Sequence, residues 1–363
     1  MPIYKKKNGS FYVSFYYRDH TGKLLRKKKE GFKKRKDAQL FMETFLLKTE
    51  GNVDMSFETL VELYLEDSKA RVKPTTFEYK KYVITLKILP FFEKMRLLDI
   101  EPIHIRRWQN ELITNDKNFS PTYLKTINNQ LNAVLNYAVK YYKLPSNPAR
   151  LCGAIGKKHA DKMEFWTRDE FFRFREKVKD KEMSEVIFDL FFYTGIREGE
   201  LLALTLEDFD FKNKKVSINK SYSRIKGKDL IQSPKTPKSK RMITIPKFLS
   251  EKVEEFAERR YDYRKDERFF PITKYYLHHE MNRGSKLSGV KRIRIHDLRH
   301  SHVALLIEMN VPILLISERL GHDNPETTLR IYGHLYPNKH EEIADKLNIL
   351  EENKEENKSV VRF

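Results

Sequence analysis

From Phe57 to about Leu144 the apolar residues recur at helical spacing and nowhere alternate as a strand requires, so this whole stretch must fold as packed helices. Phe57, Leu60, Val61, Tyr64 and Leu65 lie at i, i+3, i+4, i+7 and i+8. A second helix is expected over about Thr76 to Leu86, and Pro102 opens a third that runs through Arg106, Arg107 and Trp108 to Leu112. Ser120-Pro121 is an N-cap followed by proline at the first helical position. The helix it starts carries a core stripe of Leu124, Ile127, Leu131, Val134, Leu135 and Ala138. Four helices of this kind make a bundle over residues 56–145. Asn147-Pro148 breaks the pattern, and residues 145–162 read as a linker.

The first 50 residues follow another rule. Asn8-Gly9 is a two-residue hairpin turn, Ser10 to Tyr17 is β-branched and aromatic, Asp19 to Gly22 reads as a second turn, and Lys23 to Lys29 as a third strand. Lys36 to Lys48 has helical spacing, with Ala38, Phe41, Phe45 and Leu46 on one side. A small three-stranded sheet backed by one helix is expected over 1–50, with 51–56 as a linker. This segment holds fourteen basic and five acidic side chains. Its aromatics and lysines suit a sheet that lies in a DNA groove. The plain alternative is that the aromatics pack on the helix and the lysines keep a small domain soluble.

Residues 163–350 are mixed. Thr167 and Glu170 form a capping box, Met183 to Tyr193 is a strongly apolar helix, and Gly195 sits where a C-cap glycine belongs. Strands are expected at Lys215–Asn219, Asp229–Gln232 and Met242–Ile245. Helices are expected at about Pro246–Arg259, Asp297–Met309, Pro312–Leu320 and His340–Ile349. The segment 351–363 is polar and is expected to form a loose tail. The fold class is therefore α+β and multidomain: a sheet with a helix, then a helical bundle, then a mainly helical domain with a small antiparallel sheet.

The chain has 71 Lys and Arg against 51 Asp and Glu, a formal net charge of +20, which favours a polyanionic partner. Its one cysteine, Cys152, excludes an intrachain disulfide and a cysteine-based zinc site. No apolar run approaches the ~20 residues of a membrane helix, and no apolar segment of signal-peptide type follows the basic N-terminus. A cytoplasmic setting is expected.

The chemistry concentrates in the last segment. Thr194-Gly195-Ile196-Arg197 places an arginine just past a buried helix and a glycine turn, where its fixed donors suit phosphate oxygens; it could equally cap the helix or pair with Glu200. Ser233 to Arg241 is a basic turn between strands, either a solvated loop or a hairpin that presents a lysine. His296 and Arg299 are i, i+3 at the start of a helix and can reach one phosphate. His296 and His300 have zinc-ligand spacing, but the run is HDLRH and not HExxH, so a metal site is not expected. Leu320-Gly321-His322 ends a short helix, and Thr327-Thr328-Leu329-Arg330-Ile331-Tyr332 follows. Arginines, a lysine, histidines and a late tyrosine in a basic chain can cleave a phosphodiester covalently: a tyrosine attacks phosphorus, arginines hold the oxygens, and an acid protonates the leaving oxygen.

In the order TGIREGEL, KT…KSKR, HDLRH, LGH and TTLRIY, the chain resembles the tyrosine recombinase (phage integrase) family over nearly its whole length. The resemblance implies an arm-type DNA-binding domain at 1–50, a SAM-like core-binding domain at 56–145 and a catalytic domain at 163–350. Carried over by position, it implies Arg197, His296, Arg299, His322 and Tyr332 as catalytic residues, with Tyr332 the nucleophile in preference to Tyr336. The lysine has two registers: KT six residues before Arg241 points to Lys235, and counting back from Ile245-Pro246 points to Lys238. Lys235 is taken here. Glu200 would orient Arg197.

The implied activity is site-specific recombination through a 3′-phosphotyrosine, which integrates and excises a prophage or other mobile element. The implied partners are core and arm DNA sites and three further copies of the chain in a tetramer. An excisionase and a host DNA-bending protein would be accessory factors at the nucleoid. The implied chemistry needs no cofactor and no metal. Rival readings are a DNA-binding regulator, which would form no covalent complex, a type IB topoisomerase-like enzyme, and a metal-dependent nuclease.

Overall fold

The computed structural model describes residues 3–7, 9–18, 24–50, 55–114, 118–157, 164–234, 237–260, 264–321 and 324–333, with residues 344 and 349. The chain divides into two compact units, Met1–Asp161 and Lys162–Phe363.

The first unit begins with a three-stranded antiparallel sheet, β1 (Ile3–Lys5), β2 (Phe11–Arg18) and β3 (Leu24–Phe32), in that order, followed by helix α1 (Arg35–Glu50). Side chains alternate between the two faces of a strand, and β2 uses both faces. Val13 and Phe15 point inward and are buried with Ala38 and Met42, with Phe41 and Phe45 of the helix packed beside them. On the other face the Tyr4 and Tyr12 rings stack 5.0 Å apart, with Lys28 5.3 Å from the Tyr12 ring and Arg26 5.9 Å from the Tyr16 ring. The two readings of the aromatics thus divide by face: Phe15 and Tyr17 pack on Phe45 of the helix, and Tyr4, Tyr12 and Tyr16 stand outward among cations. Of the expected turns, Asn8 and residues 19–22 lie outside the described residues.

The bundle consists of α2 (Phe57–Arg71), α3 (Pro74–Val83), α4 (Leu89–Phe92), α5 (Pro102–Ile113) and α6 (Pro121–Tyr141), closed by a short α7 (Pro148–Leu151). The second expected helix does not stop near Leu86. Pro90 has no N–H for the helical ladder, and the chain widens into a π turn over Ile84–Ile88, where the Leu89 N–H reaches the Ile84 carbonyl five residues back. Trp108 is buried in the core and donates its indole N–H to the Lys87 carbonyl at 2.9 Å. The expectation of a linker from residue 145 is corrected for residues 145–157. Asn147 caps α7, and Ala149 and Ile155 are buried in the bundle's core, so this stretch packs as part of it.

The second unit is built around α9 (Glu182–Thr194), in which every residue from Val186 to Phe192 is buried. Burial of each such apolar side chain is worth roughly 1.5–3 kcal/mol against exposure. α8 (Arg168–Val178) packs on it, with the Phe171 and Phe192 rings stacked 3.7 Å apart. A short α10 (Glu198–Leu201) follows the end of α9. Next come β4 (Phe209–Asp210), β5 (Lys215–Ile218), a hairpin of β6 (Ser221–Ile225) and β7 (Lys228–Gln232), and β8 (Arg241–Thr244). The sheet order is β4-β5-β8, and Val216 lies opposite Ile243 with both buried. Helices α11 (Lys247–Glu258), α12 (Lys274–Ser288), α13 (Asp297–Glu308), α14 (Ile313–Leu320) and α15 (Pro325–Tyr332) complete the unit. The α+β, multidomain class holds. The sequence reading lacked β4, β6, α10, α12 and α15, and the helix expected over His340–Ile349 and the tail 351–363 fall outside the described residues apart from residues 344 and 349. Among the described residues, no helix is long and apolar enough to cross a membrane.

Candidate active site

The site is assembled from chain ends. Helix α9 stops at Gly195, whose φ of +64° is a left-handed conformation that a side chain disfavours. Space forbids one as well: a Cβ there would lie 2.7 Å from the His302 ring and 3.0 Å from Leu320. Two residues on, Arg197 begins α10 and donates from Nη1 to Glu200 Oε1 at 2.7 Å. The other Glu200 oxygen accepts the Arg197 backbone N–H at 3.0 Å. Sequence reasoning anticipated this pair.

It missed the third member. Arg241, at the start of β8, donates from Nη2 to Glu200 Oε2 at 2.9 Å and from Nε to the Arg319 carbonyl at 3.0 Å, and its side chain is only 7% exposed. Burial would push the Glu200 carboxyl up, but Arg241 above all, and then Arg197, hold it down at about 2. Glu200 is therefore a fixed anion between two arginines, and it sets the Arg197 fork in one orientation.

Arg299 is 3% exposed and donates to the carbonyls of Gly195 at 2.6 Å and Leu320 at 2.7 Å. These carbonyls lie at the C-terminal ends of α9 and α14, where helix geometry leaves acceptors unpaired and favours a cation. Burial and the charges of Arg197 and Arg241 pull Arg299 down to about 9, so it stays charged at neutral pH. His302, one turn along α13, lies against Gly195. Its Nδ1 donates to the Phe192 carbonyl at 2.7 Å and its Nε2 accepts from Arg319 Nε at 3.1 Å. An arginine Nε can only donate, which fixes this tautomer.

His296 precedes α13, and its ring meets that of His300 edge-on at 5.4 Å. Burial and then the Arg299 charge pull the His296 imidazole down. Burial, followed by the neighbouring His296, brings His300 to about 4. Tyr332 ends α15, 1% exposed, in a cluster with Val303, Ile307, Ile316 and Leu320. Its hydroxyl lies 2.5 Å from His300 Nδ1. Burial pushes the phenol up, partly offset by the charge of Arg299.

Thus Arg197, His296, Arg299 and Tyr332 are brought together, and Glu200, Arg241, His300 and Arg319 join them. Lys235, His322 and Tyr336 lie outside the described residues. Lys238 is described: a Cβ on Gly321 would fall 2.8 Å from the Lys238 carbonyl, so the basic turn abuts the end of α14. Among the described residues, no group of three or more His, Cys, Asp or Glu is placed to hold a metal ion. Arg197 and Arg241 on the buried Glu200 carboxylate, with the Arg299 charge close by, make a site that favours an anion with planar or tetrahedral oxygens.

His302 makes a stability prediction. Burial and then the Arg319 charge lower it to about 3 from an ordinary 6.5. The unfolded chain therefore takes up a proton between about pH 6.5 and 3 that the folded chain refuses, so stability is lost as pH falls through that window. The slope for one histidine is about 1.4 kcal/mol per pH unit. Thermal melts from pH 7 to 5 should fall more steeply for the wild type than for His302→Gln; parallel curves would contradict the assignment.

Three profiles match in order: "Arm DNA-binding domain" over residues 2–49, "Phage integrase, N-terminal SAM-like domain" over 56–113, and "Phage integrase family" over 166–339. The ICEBs1 integrase of Bacillus subtilis is 30% identical over 372 residues, covering 96% of this chain and all of that protein. The Tn1549 transposon integrase in complex with a circular intermediate DNA superposes with a TM-score of 0.68 at 17% identity, covering 82% of this chain and 99% of the other. A lambda integrase tetramer bound to a Holliday junction superposes with a TM-score of 0.57 at 18% identity, covering 89% and 96%.

Proposed function

Because the chain belongs to the phage integrase family of tyrosine recombinases, we propose that Arg197, Lys235, His296, Arg299, His322 and Tyr332 are the residues with which it cuts and rejoins DNA. The activity is site-specific recombination through a 3′-phosphotyrosine, in the service of a mobile element. The observation that carries the residue assignment is the convergence of Arg197, Arg299 and the Tyr332 hydroxyl around the ends of α9, α13 and α15.

Tyr332 Oη attacks the scissile phosphorus. Arg197 and Arg299 hold the non-bridging oxygens, where charge grows in the transition state, and Glu200 with Arg241 keeps Arg197 aimed. His296 and His322 donate to the same oxygens. A lysine of the basic turn protonates the 5′-oxygen as it leaves. The bond to tyrosine conserves the energy of the phosphodiester, so a 5′-hydroxyl from a second duplex can displace it and no nucleotide cofactor is consumed.

The rest of the chain supports the reading. The outward tyrosines of β1 and β2, ringed by lysines and Arg26, suit an arm-site binder at residues 1–50. The bundle at 56–145 and the catalytic domain at 163–350 would each contribute to binding the core site. The neighbour on a Holliday junction favours a tetramer on two duplexes. An excisionase and a host DNA-bending protein would bias integration or excision. The work would take place in the cytoplasm at the nucleoid.

The test targets the lysine. A bridging phosphorothiolate gives a sulfur leaving group that needs no proton. Lys235→Ala should be slow on ordinary attachment-site DNA by on the order of 10²-fold and near wild type on the phosphorothiolate. Arg197→Ala should not be rescued. Rescue of Lys238→Ala and not of Lys235→Ala would move the acid to Lys238.

A further inference from the structure

His300, which the family reading assigns no role, stands against the nucleophile. Its Nδ1 lies 2.5 Å from Tyr332 Oη, at the distance of a strong hydrogen bond. We propose that His300 is the base that takes the proton of Tyr332 as the phenol oxygen attacks phosphorus, an inference that rests on Tyr332 being the nucleophile.

The placement fits that task. Tyr332 is almost wholly buried, so water is not at hand to receive its proton. His300 sits in the first turn of α13, next to Arg299 and one turn after His296. Its other ring nitrogen faces Asp297, with Nε2 3.9 Å from Oδ1. At that distance the two make no hydrogen bond, but the nearby negative charge favours the imidazole proton on Nε2, which leaves Nδ1 to accept from the Tyr332 hydroxyl. Asp297 is 1% exposed and is held by Arg294, whose backbone N–H and guanidinium both donate to it. His300 thus lies within hydrogen-bond reach of the nucleophile and beside a buried carboxylate, the pairing that activates a hydroxyl for attack. His296, Arg294 and Arg299 are the other ionisable groups whose charge bears on His300. Burial first, and then these charges, against the opposing pull of Asp297, keep the ring neutral at physiological pH with a lone pair to accept the proton.

The step balances. The Oη–H bond breaks and its proton moves to His300 Nδ1. The electron pair left on Oη forms the bond to phosphorus. The P–O5′ bond breaks, and the 5′-oxygen takes a proton from the lysine of the basic turn. On rejoining, a 5′-hydroxyl gives its proton to the now neutral lysine and attacks phosphorus, the P–Oη bond breaks, and the His300 imidazolium returns its proton to Oη.

The test replaces both partners in the full-length chain. With tyrosine at 332, His300→Ala and His300→Asn should each form the covalent adduct on nicked attachment-site DNA on the order of 10²–10⁴-fold more slowly, with DNA binding retained. Asparagine can still accept a hydrogen bond from the phenol but cannot take its proton, and it carries the test if the alanine variant does not fold. With 2,3,5-trifluorotyrosine at 332, which ionises near neutral pH without help, the same His300 substitutions should cost less than about tenfold. An equal loss with both nucleophiles, or a His300→Asn variant as fast as wild type, overturns the proposal while leaving Tyr332 the nucleophile. An adduct on another residue overturns the proposal and the reading beneath it.

Discussion

Tyr332→Phe is expected to bind attachment-site DNA as the wild type does and to form no covalent adduct at all. The substitution removes one oxygen and keeps the ring that packs among Val303, Ile307, Ile316 and Leu320. The fold therefore loses one hydrogen bond to His300, worth about 0.5–1.5 kcal/mol, while the reaction loses its nucleophile. A nicked suicide substrate separates the two effects, since cleavage releases a short strand and traps the protein on DNA. An adduct in the phenylalanine variant would transfer the role to another tyrosine, with Tyr336 the first to examine.

The second large effect is at Arg299. Its two guanidinium nitrogens bridge the carbonyls of Gly195 and Leu320, and so tie the end of α9 to the end of α14 while the guanidinium stays close to Arg197. Lysine keeps the charge, but a single ammonium cannot span both carbonyls and also present a donor to a phosphate oxygen. Arg299→Lys should lower the rate of adduct formation by on the order of 10²–10³-fold, the usual cost of removing one donor from a developing oxyanion. Arg197→Lys should show a loss of the same order for the same reason. Its partly exposed side chain makes it the cleaner probe, because little packing depends on it. DNA binding measured alongside should change far less than cleavage. Rates within a few-fold of wild type in both variants would remove these arginines from the phosphate.

How much of this was legible in the sequence depends on how local each signal is. The long apolar stripe of α6 and the capping box of α8 are read from residues three or four apart, and both helices form as expected. Arg197, His296, Arg299 and Tyr332 stand in short runs whose order is distinctive, so they could be named without coordinates. Arg241 had no such signal. Its partner Glu200 is 41 residues away, and its run of neighbouring cations reads as a solvated turn. His300 was visible beside Arg299, but only the fold brings it to a tyrosine 32 residues on. Helix α12 was passed over because Gly284 and several polar residues interrupt its apolar pattern. The glycine is there because α8 approaches so closely that a Cβ would lie 2.3 Å from Phe174. The π turn before Pro90 likewise follows from a missing donor that a periodicity count cannot register.

In this mechanism Tyr332 carries the DNA strand during exchange. The most direct measurement is to trap the covalent complex on a nicked duplex built from the repeats that flank the mobile element, digest both components and locate the bound nucleotide by mass spectrometry. A nucleotide joined through its 3′-phosphate to the peptide containing Tyr332 is expected, with a free 5′-hydroxyl on the released strand. A nucleotide on Tyr336 or any other residue, or one joined through a 5′-phosphate, would contradict this mechanism.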